Sequence, residues 1–294
     1  MFTTSSDSDK RNHMAKILYV ITLYGCRLED AAAFKTLLSG HKDIYSDIFV
    51  YDNSPQVQTT AVSVGQYVRD SGNGGLGKAY NAAWKYAQNE GYDRLLLMDQ
   101  DTFFPANAKE GYIKAMEEYP QMPMIVPRHI IENGKYISPT PYRLHTSHIC
   151  ETAPVGVVKF SEACPINSGI LLTVDSFSKA GGYDEDIWLD FSDIAFIEKY
   201  KKFYLEFYVM DDVMCRQTFS ATETDKGKVY HRFCIYLECA RNFRKGTSGN
   251  CLSLTFTTLR PTLSRTLREL TLKYLRAYLN YYLLNKKNRN VQNT

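Results

Sequence analysis

The sequence predicts an α/β fold with a mostly parallel central sheet, flanked by helices and followed by a basic helical extension. Short apolar runs, which are typical of strands buried on both faces, alternate along the chain with segments of helical spacing. The clearest run is LLLMDQD, Leu95 to Asp101, where four apolar residues lead directly into two carboxylates. Because open α/β sheets bind ligands at the carboxyl ends of their strands, these acids are expected in a ligand crevice.

The predicted elements support this fold in chain order. Four strands are expected within residues 16–25, 47–54, 64–73 and 93–101, with helices within 28–40 and 75–91. A helix is expected within 107–120 and a strand within 123–131, and loops or short antiparallel strands follow within 132–160. A strand–helix unit is expected within 166–186, a helix within 188–203 and a strand within 204–215. We therefore divide the 294 residues into a flexible leader (1–15), an α/β domain (16–245) and a basic amphipathic helical tail (246–294).

Charge and composition narrow the class of protein. The net charge of +3 is too small for a general nucleic-acid binder, but the segment from Arg241 to Thr294 alone carries about +10. This asymmetry predicts a basic end that faces an anionic partner. Seven cysteines without a CxxC pair or an export signal predict free thiols in a cytoplasmic protein. No apolar stretch approaches the roughly 18 residues of a membrane span, so a soluble or surface-resting protein is expected.

Polar side chains end two of the predicted strands. Asp99 and Asp101 flank Gln100, so on an extended chain the two carboxylates point the same way. That arrangement suits a hard divalent cation or an acid/base pair. Asp52 and Asn53 end another strand, where they predict either contact with a base or ribose or a simple Asx turn.

The glycine-rich segment GNGGLGKAYN, Gly72 to Asn81, precedes a predicted helix. Its glycines fit G-x-G-x-x-G, but a dinucleotide fingerprint should follow the strong first strand, and here the preceding strand is the third and weak. The glycines still allow a close backbone approach before a helix amino end, which favours a phosphate or a sugar.

Two later segments carry further candidates. In WLDFSD, Asp190 and Asp193 share a face if the segment is helical, and one of them could deprotonate an acceptor hydroxyl or simply favour the helix dipole. In the basic segment that follows, four side chains could neutralise phosphate or could lie on an ordinary helix surface: Arg232, Arg241, Arg244 and Lys245.

Taken in order, the segments DNS, GNGGLGKAYN, LLLMDQD, NSG, GGYDED…WLDFSD and a late RN resemble the family 2 glycosyltransferases, most closely their bacterial rhamnosyltransferase-like branch. The resemblance covers about Lys16 to Lys245. Its most specific part is N-x-G-x-G-x-A-x-N, Asn73 to Asn81, followed by a strand that ends in DQD. It implies a GT-A fold, a nucleotide-diphosphate sugar donor, inversion at the anomeric carbon and Mg²⁺ or Mn²⁺ as cofactor.

The resemblance also implies roles for individual residues. Asp193 matches the general base, with Asp190 assisting or positioning the acceptor. Asp101 would ligate the metal, Asp99 would lie beside it near the ribose and diphosphate, and Asp52 would contact the base. The remaining donor-site residues implied by position are Thr22, Tyr24, Asn53, Asn73, Gly75, Gly77, Asn81, Gln100, Asn167, Ser168 and Gly169.

Two departures from the family pattern concern the metal and the donor. Ala195 stands where members usually carry an acid, and VMCRQ lacks the His near the diphosphate, with Arg216 as a possible substitute cation. Reduced metal dependence is therefore left open. The branch alone suggests a dTDP-rhamnose donor, with a UDP-hexose as the alternative. The implied acceptor is a glycan, in bacterial surface polysaccharide synthesis.

Alternative functions and the role of the tail stay open at this point. Strand-D-x-D also occurs in haloacid-dehalogenase-like phosphatases, although their nucleophile strand comes first, and a non-catalytic nucleotide-sugar-binding module is a further alternative. In the tail, one apolar stripe is predicted to pack on the domain, on a second subunit, or on an anionic membrane near a lipid-linked acceptor. The stripe comprises Leu263, Leu267, Leu270, Tyr274, Tyr278 and Tyr281, with Arg265, Arg268 and Arg276 opposite and Lys286, Lys287 and Arg289 after it.

Overall fold

The computed structural model of the chain describes residues 15–143, 146–217, 225–246 and 251–284. The predicted flexible leader lies outside the described residues except for Ala15, and so do Lys286, Lys287 and Arg289 at the end of the tail. Within the described ranges, no helix is long and apolar enough to cross a membrane. Six of the seven cysteines are observed as free thiols, which agrees with the prediction for them.

One large sheet organises the α/β part of the chain. Its strands are β1 (Ile17–Leu23), β2 (Ile48–Asp52), β3 (Gln66–Arg69), β4 (Arg94–Asp99), β5 (Thr102–Phe103), β6 (Met124–Ile130), β7 (Tyr136–Ser138), β10 (Gly156–Lys159), β11 (Leu171–Thr173) and β12 (Glu206–Gln217). Strands β8 (Tyr142–Arg143) and β9 (Thr146–Ser147) form a separate pair. The order in the large sheet is β10-β12-β6-β11-β4-β1-β2-β3, with β5 beside β12 and β7 beside β6.

The two halves of this sheet differ in strand direction. Strands β3, β2, β1 and β4 are all parallel, as the alternation of strands and helices predicts. Beyond β4 the sheet is mixed, because β11 runs antiparallel to both β4 and β6. The parallel half therefore has all its strand carboxyl ends at one edge.

Helices cover both faces of the sheet and continue into the tail. They are α1 (Gly75–Asn89), α2 (Ala108–Glu118), α3 (Val174–Lys179), α4 (Ser192–Tyr200), α5 (Lys226–Gly246), α6 (Cys251–Arg268) and α7 (Lys273–Ala277), with short helical turns at Leu28–Asp30, Phe34–Leu38, Lys42–Asp47 and Tyr278–Leu283. The helix predicted within 28–40 is not continuous, because the Ala33 amide donates to the Gln100 carbonyl (3.3 Å) instead of to its own preceding turn.

Two hydrophobic clusters lie on opposite faces of the sheet. Within β4, Leu95 and Leu97 belong to the cluster beneath α1, while Leu96 and Met98 belong to the cluster beneath α2. All four side chains are fully or almost fully buried. The uninterrupted apolar run of β4 is thus explained by burial on both faces, as its sequence predicts.

A third cluster joins α5, α6, α7 and the turn Tyr278–Leu283 to the segment before α4; we call this assembly the helical module. Phe191, next to the predicted base, stacks on Phe243 of α5 with ring centroids 5.6 Å apart. The Arg241 and Arg244 guanidinium groups donate to the carbonyls of Tyr281 and Tyr282, at 3.1 and 3.4 Å. In the structure these two predicted phosphate ligands instead hold the end of the module against α5.

The single apolar stripe predicted for the tail is wrong. The chain turns after α6 at Leu270, whose φ of +49° ends the helix. Leu263, Leu267 and Leu270 are exposed, whereas Tyr274 and Tyr278 are buried in the third cluster. The break between α6 and α7 therefore leaves the leucines of the predicted stripe exposed and places its first two tyrosines in the core of the helical module.

Candidate active site

The register of the parallel strands brings the predicted strand-end residues to one edge of the sheet. Thr22 pairs with Asp99 across β1 and β4, and Leu23 pairs with Asp52 across β1 and β2. The polar ends of three strands therefore lie side by side where α/β sheets bind ligands.

Asp99 lies at the centre of this edge in a largely desolvated position. Its Oδ1 accepts a hydrogen bond from the Tyr80 hydroxyl at 3.1 Å, and its amide donates to Ser168 Oγ at 3.0 Å. Burial, and then the negative charges of Asp101 and Asp193, raise the pKa of Asp99 from 3.8 to about 7. Asp193 is far from Asp99 and Asp101 in sequence, yet its charge and that of Asp101 both act on Asp99 in the folded chain.

The residues that follow Asp99 fix the loop around it. The Gln100 side chain accepts from the Tyr24 amide (2.8 Å) and donates to the Tyr24 carbonyl (3.2 Å), which pins the loop after β1. Asp101 is exposed, and its Oδ1 accepts from Gln217 Nε2 at 3.4 Å. Sequence reasoning missed Gln217 and proposed its neighbour Arg216 as the cation near this site. In the described residues, Gln217 is the side chain that forms a hydrogen bond to Asp101.

Asp52 and Asn53, two of the predicted donor-site residues, are both buried in the structure. Asp52 is fully buried, with one carboxylate oxygen accepting from the Ser54 amide (2.8 Å) and the other from the Tyr67 hydroxyl (2.9 Å). Asn53 is also buried, and its Oδ1 has no hydrogen-bond partner among the described residues. The Asx turn therefore forms. Contact between Asp52 and a base stays a prediction, and it requires the surrounding residues to move, because the carboxylate is fully buried.

The glycine-rich segment packs α1 against the loop that leads to the predicted base. A Cβ at Gly75, where φ is +83°, would lie 2.3 Å from the Trp188 carbonyl oxygen, and a Cβ at Gly77 would lie 2.9 Å from the Asp184 carbonyl oxygen. The Leu76 amide donates to that Trp188 carbonyl at 2.9 Å. In the structure the first amides of α1 thus approach protein backbone, and a phosphate or sugar at this helix end stays a prediction.

The two asparagines that bound this motif have different geometry. Asn73 adopts a positive φ of +50° in the turn before α1. Asn81 accepts from the Tyr183 amide (2.9 Å) and donates to the Tyr183 carbonyl (3.1 Å) and to Glu185 (2.9 Å). Asn81 therefore clamps the GGYDED loop onto α1.

The NSG loop, residues 167–169, is joined by hydrogen bonds to the end of β4 and to β5. Ser168 Oγ bonds Thr102 Oγ1 at 2.7 Å as well as the Asp99 amide, and the Ser168 carbonyl accepts from His129 Nε2 at 2.9 Å. Burial lowers the pKa of His129 to about 4, so this imidazole is neutral. Gly169, at φ +78°, donates to the Leu97 carbonyl at 2.7 Å.

The two aspartates of WLDFSD occupy different local structures. Asp193 lies in the first turn of α4, where burial raises its pKa to about 6. Asp190 lies in the turn before this helix and forms a two-pronged ion pair with Arg232 of α5; its Oδ1 accepts from Arg232 Nη2 at 2.8 Å. They therefore do not share a helix face, because α4 begins only at Ser192.

A chain of side chains connects Asp99 to the start of α4. The Tyr80 ring lies 5.0 Å from the Tyr183 ring, and the Tyr183 hydroxyl donates to Asn167 Oδ1 at 2.7 Å. Asn167 Nδ2 in turn donates to Ser192 Oγ at 3.2 Å, next to Asp193. Sequence reasoning missed both tyrosines, although each lies inside a segment that it had singled out.

Comparison with known families decides the class of protein. A family model described as glycosyl transferase family 2 matches residues 31–180, just over half of the chain. The chain belongs to glycosyltransferase family 2. No curated protein matches this glycosyltransferase. The family match, with three strands preceding β4, leaves the phosphatase alternative without support.

Solved structures confirm the predicted GT-A fold of the glycosyltransferase. S. aureus TarS (residues 1–349) is similar at 14% identity, with a TM-score of 0.51 over 91% of this chain and 90% of that chain. A structure of GalNAc-T7 with UDP, GalNAc and Mn²⁺ is similar at 11% identity, with a TM-score of 0.50 over 80% of this chain and 50% of that one.

The strand end of this glycosyltransferase fits a divalent ion that is shared with a substrate. Within the described ranges, no group of three or more His, Cys, Asp or Glu side chains could hold an ion alone. Mg²⁺ needs only one or two protein carboxylates when substrate phosphates and water complete its shell. Asp101 is exposed beside Asp99, whose pKa is raised first by burial and then by the negative charges of Asp101 and Asp193; a cation would balance that charge.

Proposed function

We propose that the chain transfers a sugar from a nucleotide-diphosphate donor to a hydroxyl of a glycan acceptor, with inversion at the anomeric carbon. The observation that supports this most directly is the convergence of Asp99, Asp101 and Asp193, since the charges of the latter two act on Asp99. Such a transfer needs a base where the acceptor attacks, and carboxylates at the diphosphate would hold the cation that balances the charge of the leaving group.

Asp193 is proposed as the general base. The acceptor oxygen bonds the anomeric carbon from one side while the bond to the diphosphate oxygen breaks on the other. The diphosphate leaves with the electron pair, and the acceptor proton passes to Asp193. A pKa of about 6 leaves Asp193 mainly ionised at neutral pH, yet more basic than an ordinary aspartate. Asp190, held by Arg232, is proposed to position the acceptor segment.

Asp101, with Asp99 beside it, is proposed to hold Mg²⁺ or Mn²⁺ against the donor diphosphate. When bound, the ion balances the negative charge that builds up on the leaving diphosphate. Gln217, in the segment VMCRQ that lacks the His of the family pattern, donates to Asp101 and is proposed to help position that carboxylate. The edge formed by Thr22, Tyr24 and Asn53 is proposed to receive the nucleoside.

The donor and acceptor follow from the resemblance alone. We propose dTDP-rhamnose or a UDP-hexose as donor and a glycan, lipid-linked in bacterial surface polysaccharide synthesis, as acceptor. The GalNAc-T7 structure of the same fold contains UDP and Mn²⁺, so uridine nucleotides with Mn²⁺ belong in the first screen.

The test is a thermal-unfolding screen of the protein against dTDP, UDP, GDP and CDP, each with and without Mn²⁺. A nucleotide at about a hundredfold excess over its dissociation constant should add about 2.7 kcal/mol to the free energy of unfolding. Donors of the best nucleotide are then assayed for sugar transfer and for hydrolysis. Absence of stabilisation by every nucleotide would contradict the proposal, and binding without any turnover would favour a non-catalytic module.

A further inference from the structure

The helix α6 buries Leu254 but exposes four other large apolar side chains, while two of its threonines are buried. Leu252, Phe256 and Leu267 are 78%, 70% and 72% exposed, and Leu263 is also exposed. On the opposite side, Thr258 and Thr262 are fully buried against the rest of the helical module. An ordinary surface helix shows the reverse pattern, with leucines inside and polar residues in water.

The buried threonines are held by the helix itself. Thr258 Oγ1 donates to the Leu254 carbonyl at 2.9 Å, and Thr262 Oγ1 donates to the Thr258 carbonyl at 2.7 Å. These bonds satisfy the hydroxyls without water, so the inner face of α6 packs as a small, dry surface. The inner face thus combines these threonines with Leu254, and the four exposed apolar side chains have no partner among the described residues.

The exposed apolar residues form one narrow face. At about 100° per residue, Leu252, Phe256, Leu263 and Leu267 fall within roughly 60° of arc around the helix. Arg260 lies about 20° beyond this arc, and Arg268 lies about 100° beyond it on the flank of the helix. We call the four apolar residues together with these two arginines, one at the edge and one on the flank, the α6 face. Both arginines are exposed, and in the part of the chain that the structure describes neither forms an ion pair.

Charge indicates what would cover this face. From residue 251 to 284 the chain contains five Lys or Arg residues and a single acid, Glu269, which already pairs with Lys273 at 2.8 Å. A second copy of the chain seated symmetrically on the α6 face would bring arginines toward arginines. An anionic lipid surface would instead accept the aliphatic and aromatic side chains between its headgroups and pair each guanidinium with phosphate.

We propose that the α6 face docks the protein on an anionic membrane surface. This goes beyond the proposed transfer reaction, since docking requires neither donor nor acceptor. It also replaces the face predicted from the sequence, because Tyr274 and Tyr278 are buried while Leu252 and Phe256 are exposed. The helical module that carries the α6 face also contains Arg232, the partner of Asp190, so docking would hold the acceptor side of the site close to the lipid.

The test measures sedimentation of the full chain with vesicles. Vesicles with about one-third phosphatidylglycerol should bind the protein, purely zwitterionic ones should bind it much more weakly, and raising the salt should release it. Phe256→Ser/Leu267→Ser should lower the vesicle partition coefficient at least about tenfold. Arg260→Gln/Arg268→Gln should lower it by roughly fivefold for each arginine.

Matched controls separate the α6 face from general surface effects. Leu205→Ser removes an apolar side chain that is 75% exposed in the segment between α4 and β12. Lys85→Gln/Lys202→Gln removes the same charge as the arginine pair from two exposed positions outside the module. Both control proteins should bind vesicles like wild type, and thermal unfolding should show that all variants are folded.

Three results would overturn the proposal. The first is no salt-sensitive binding of the wild-type chain to anionic vesicles. The second is equal binding by wild type and both α6-face variants. The third is a dimer in sedimentation velocity that Phe256→Ser/Leu267→Ser dissociates, since that would make the face an interface between copies of the chain.

Discussion

The two acidic regions of the candidate site are built in different ways. Asp99 ends a buried strand and Asp101 follows it, and the register of β1 and β4 places Asp99 beside Thr22. Asp190 and Asp193 lie around the start of a helix whose position depends on distant parts of the chain, including Arg232 on α5 and Asn167 in the NSG loop. The place of the first region can be read from a local apolar run, whereas the place of the second depends on contacts with α5 and the NSG loop, so substitutions should separate the two regions.

The largest effect is expected at Asp193. Asp193→Asn keeps the shape of the side chain but removes the base, so kcat should fall by on the order of a hundredfold or more, with donor affinity nearly unchanged. In wild type, kcat should also fall as the pH drops below about 6, because protonated Asp193 cannot accept the acceptor proton. Initial rates across pH, together with nucleotide binding, provide the measurement.

Asp190→Asn is the matched control for that variant. If Asp193→Asn remains fully active and Asp190→Asn is inactive, the base has been assigned to the wrong carboxylate. A wild-type rate that is unchanged from neutral pH to about pH 5 would also contradict the assignment.

A smaller effect is expected at the end of β4. Asp101→Ala should raise the Mn²⁺ concentration needed for half-maximal nucleotide binding by roughly tenfold or more, because one of very few protein ligands is lost. Asp52→Ala is the comparison, since Asp52 holds its own loop and should leave the Mn²⁺ requirement unchanged. Titration of Mn²⁺ at fixed nucleotide measures both, and identical curves for wild type and Asp101→Ala would remove Asp101 from the metal site.

Loss of the ion pair between Asp190 and Arg232 should have a still smaller effect on the reaction rate. Arg232→Gln should lower kcat by roughly fivefold to tenfold, because Asp190 and the turn before α4 lose their support from α5. The pair is partly exposed, so the free energy of unfolding should change by no more than about 1 kcal/mol. Arg232→Lys should restore part of the rate, and the KM for the donor should not move.

If Arg232→Gln changed only stability, the pair would have no positioning role. Lys85→Gln, which removes an exposed charge from α1, is the control for net charge and should leave kcat unchanged.

The sequence predicts the first region better than the second for a physical reason. A four-residue apolar run can be read locally, and parallel pairing then places Asp99 beside Thr22 without further information. Asp190 and Asp193 were identified as candidates, but their separation by a helix start was not, because the left-handed Phe191 before α4 (φ +66°) is stabilised by packing on α5. Such contacts leave no periodic signal in the sequence.

The tail illustrates the same limit. Its helical spacing was recognised, but one residue at a positive φ, Leu270, rotates the following helix and reverses which apolar side chains are buried. The contact between Tyr80 and Tyr183 was missed for a related reason, since the two residues are about a hundred positions apart and meet through tertiary contacts such as the one between Asn81 and Tyr183.

The smallest expected effect concerns stability at the end of β4. Asp99 has a pKa of about 7 in the folded chain against an ordinary value of 3.8, so between these pH values the folded state retains a proton that the unfolded state has lost. Stability from this group is fully present below about pH 4 and is lost as the pH rises toward 7. Asp99→Asn should therefore be nearly neutral at about pH 4 and should stabilise the metal-free protein at about pH 8, by on the order of 1 kcal/mol.

Glu117→Gln, which neutralises an exposed carboxylate on α2, should show no such pH dependence. Urea unfolding at both pH values measures the difference. A destabilised Asp99→Asn at pH 8 would mean that the ionised carboxylate is favourable where it lies, and the site would then have no excess negative charge for a cation to balance.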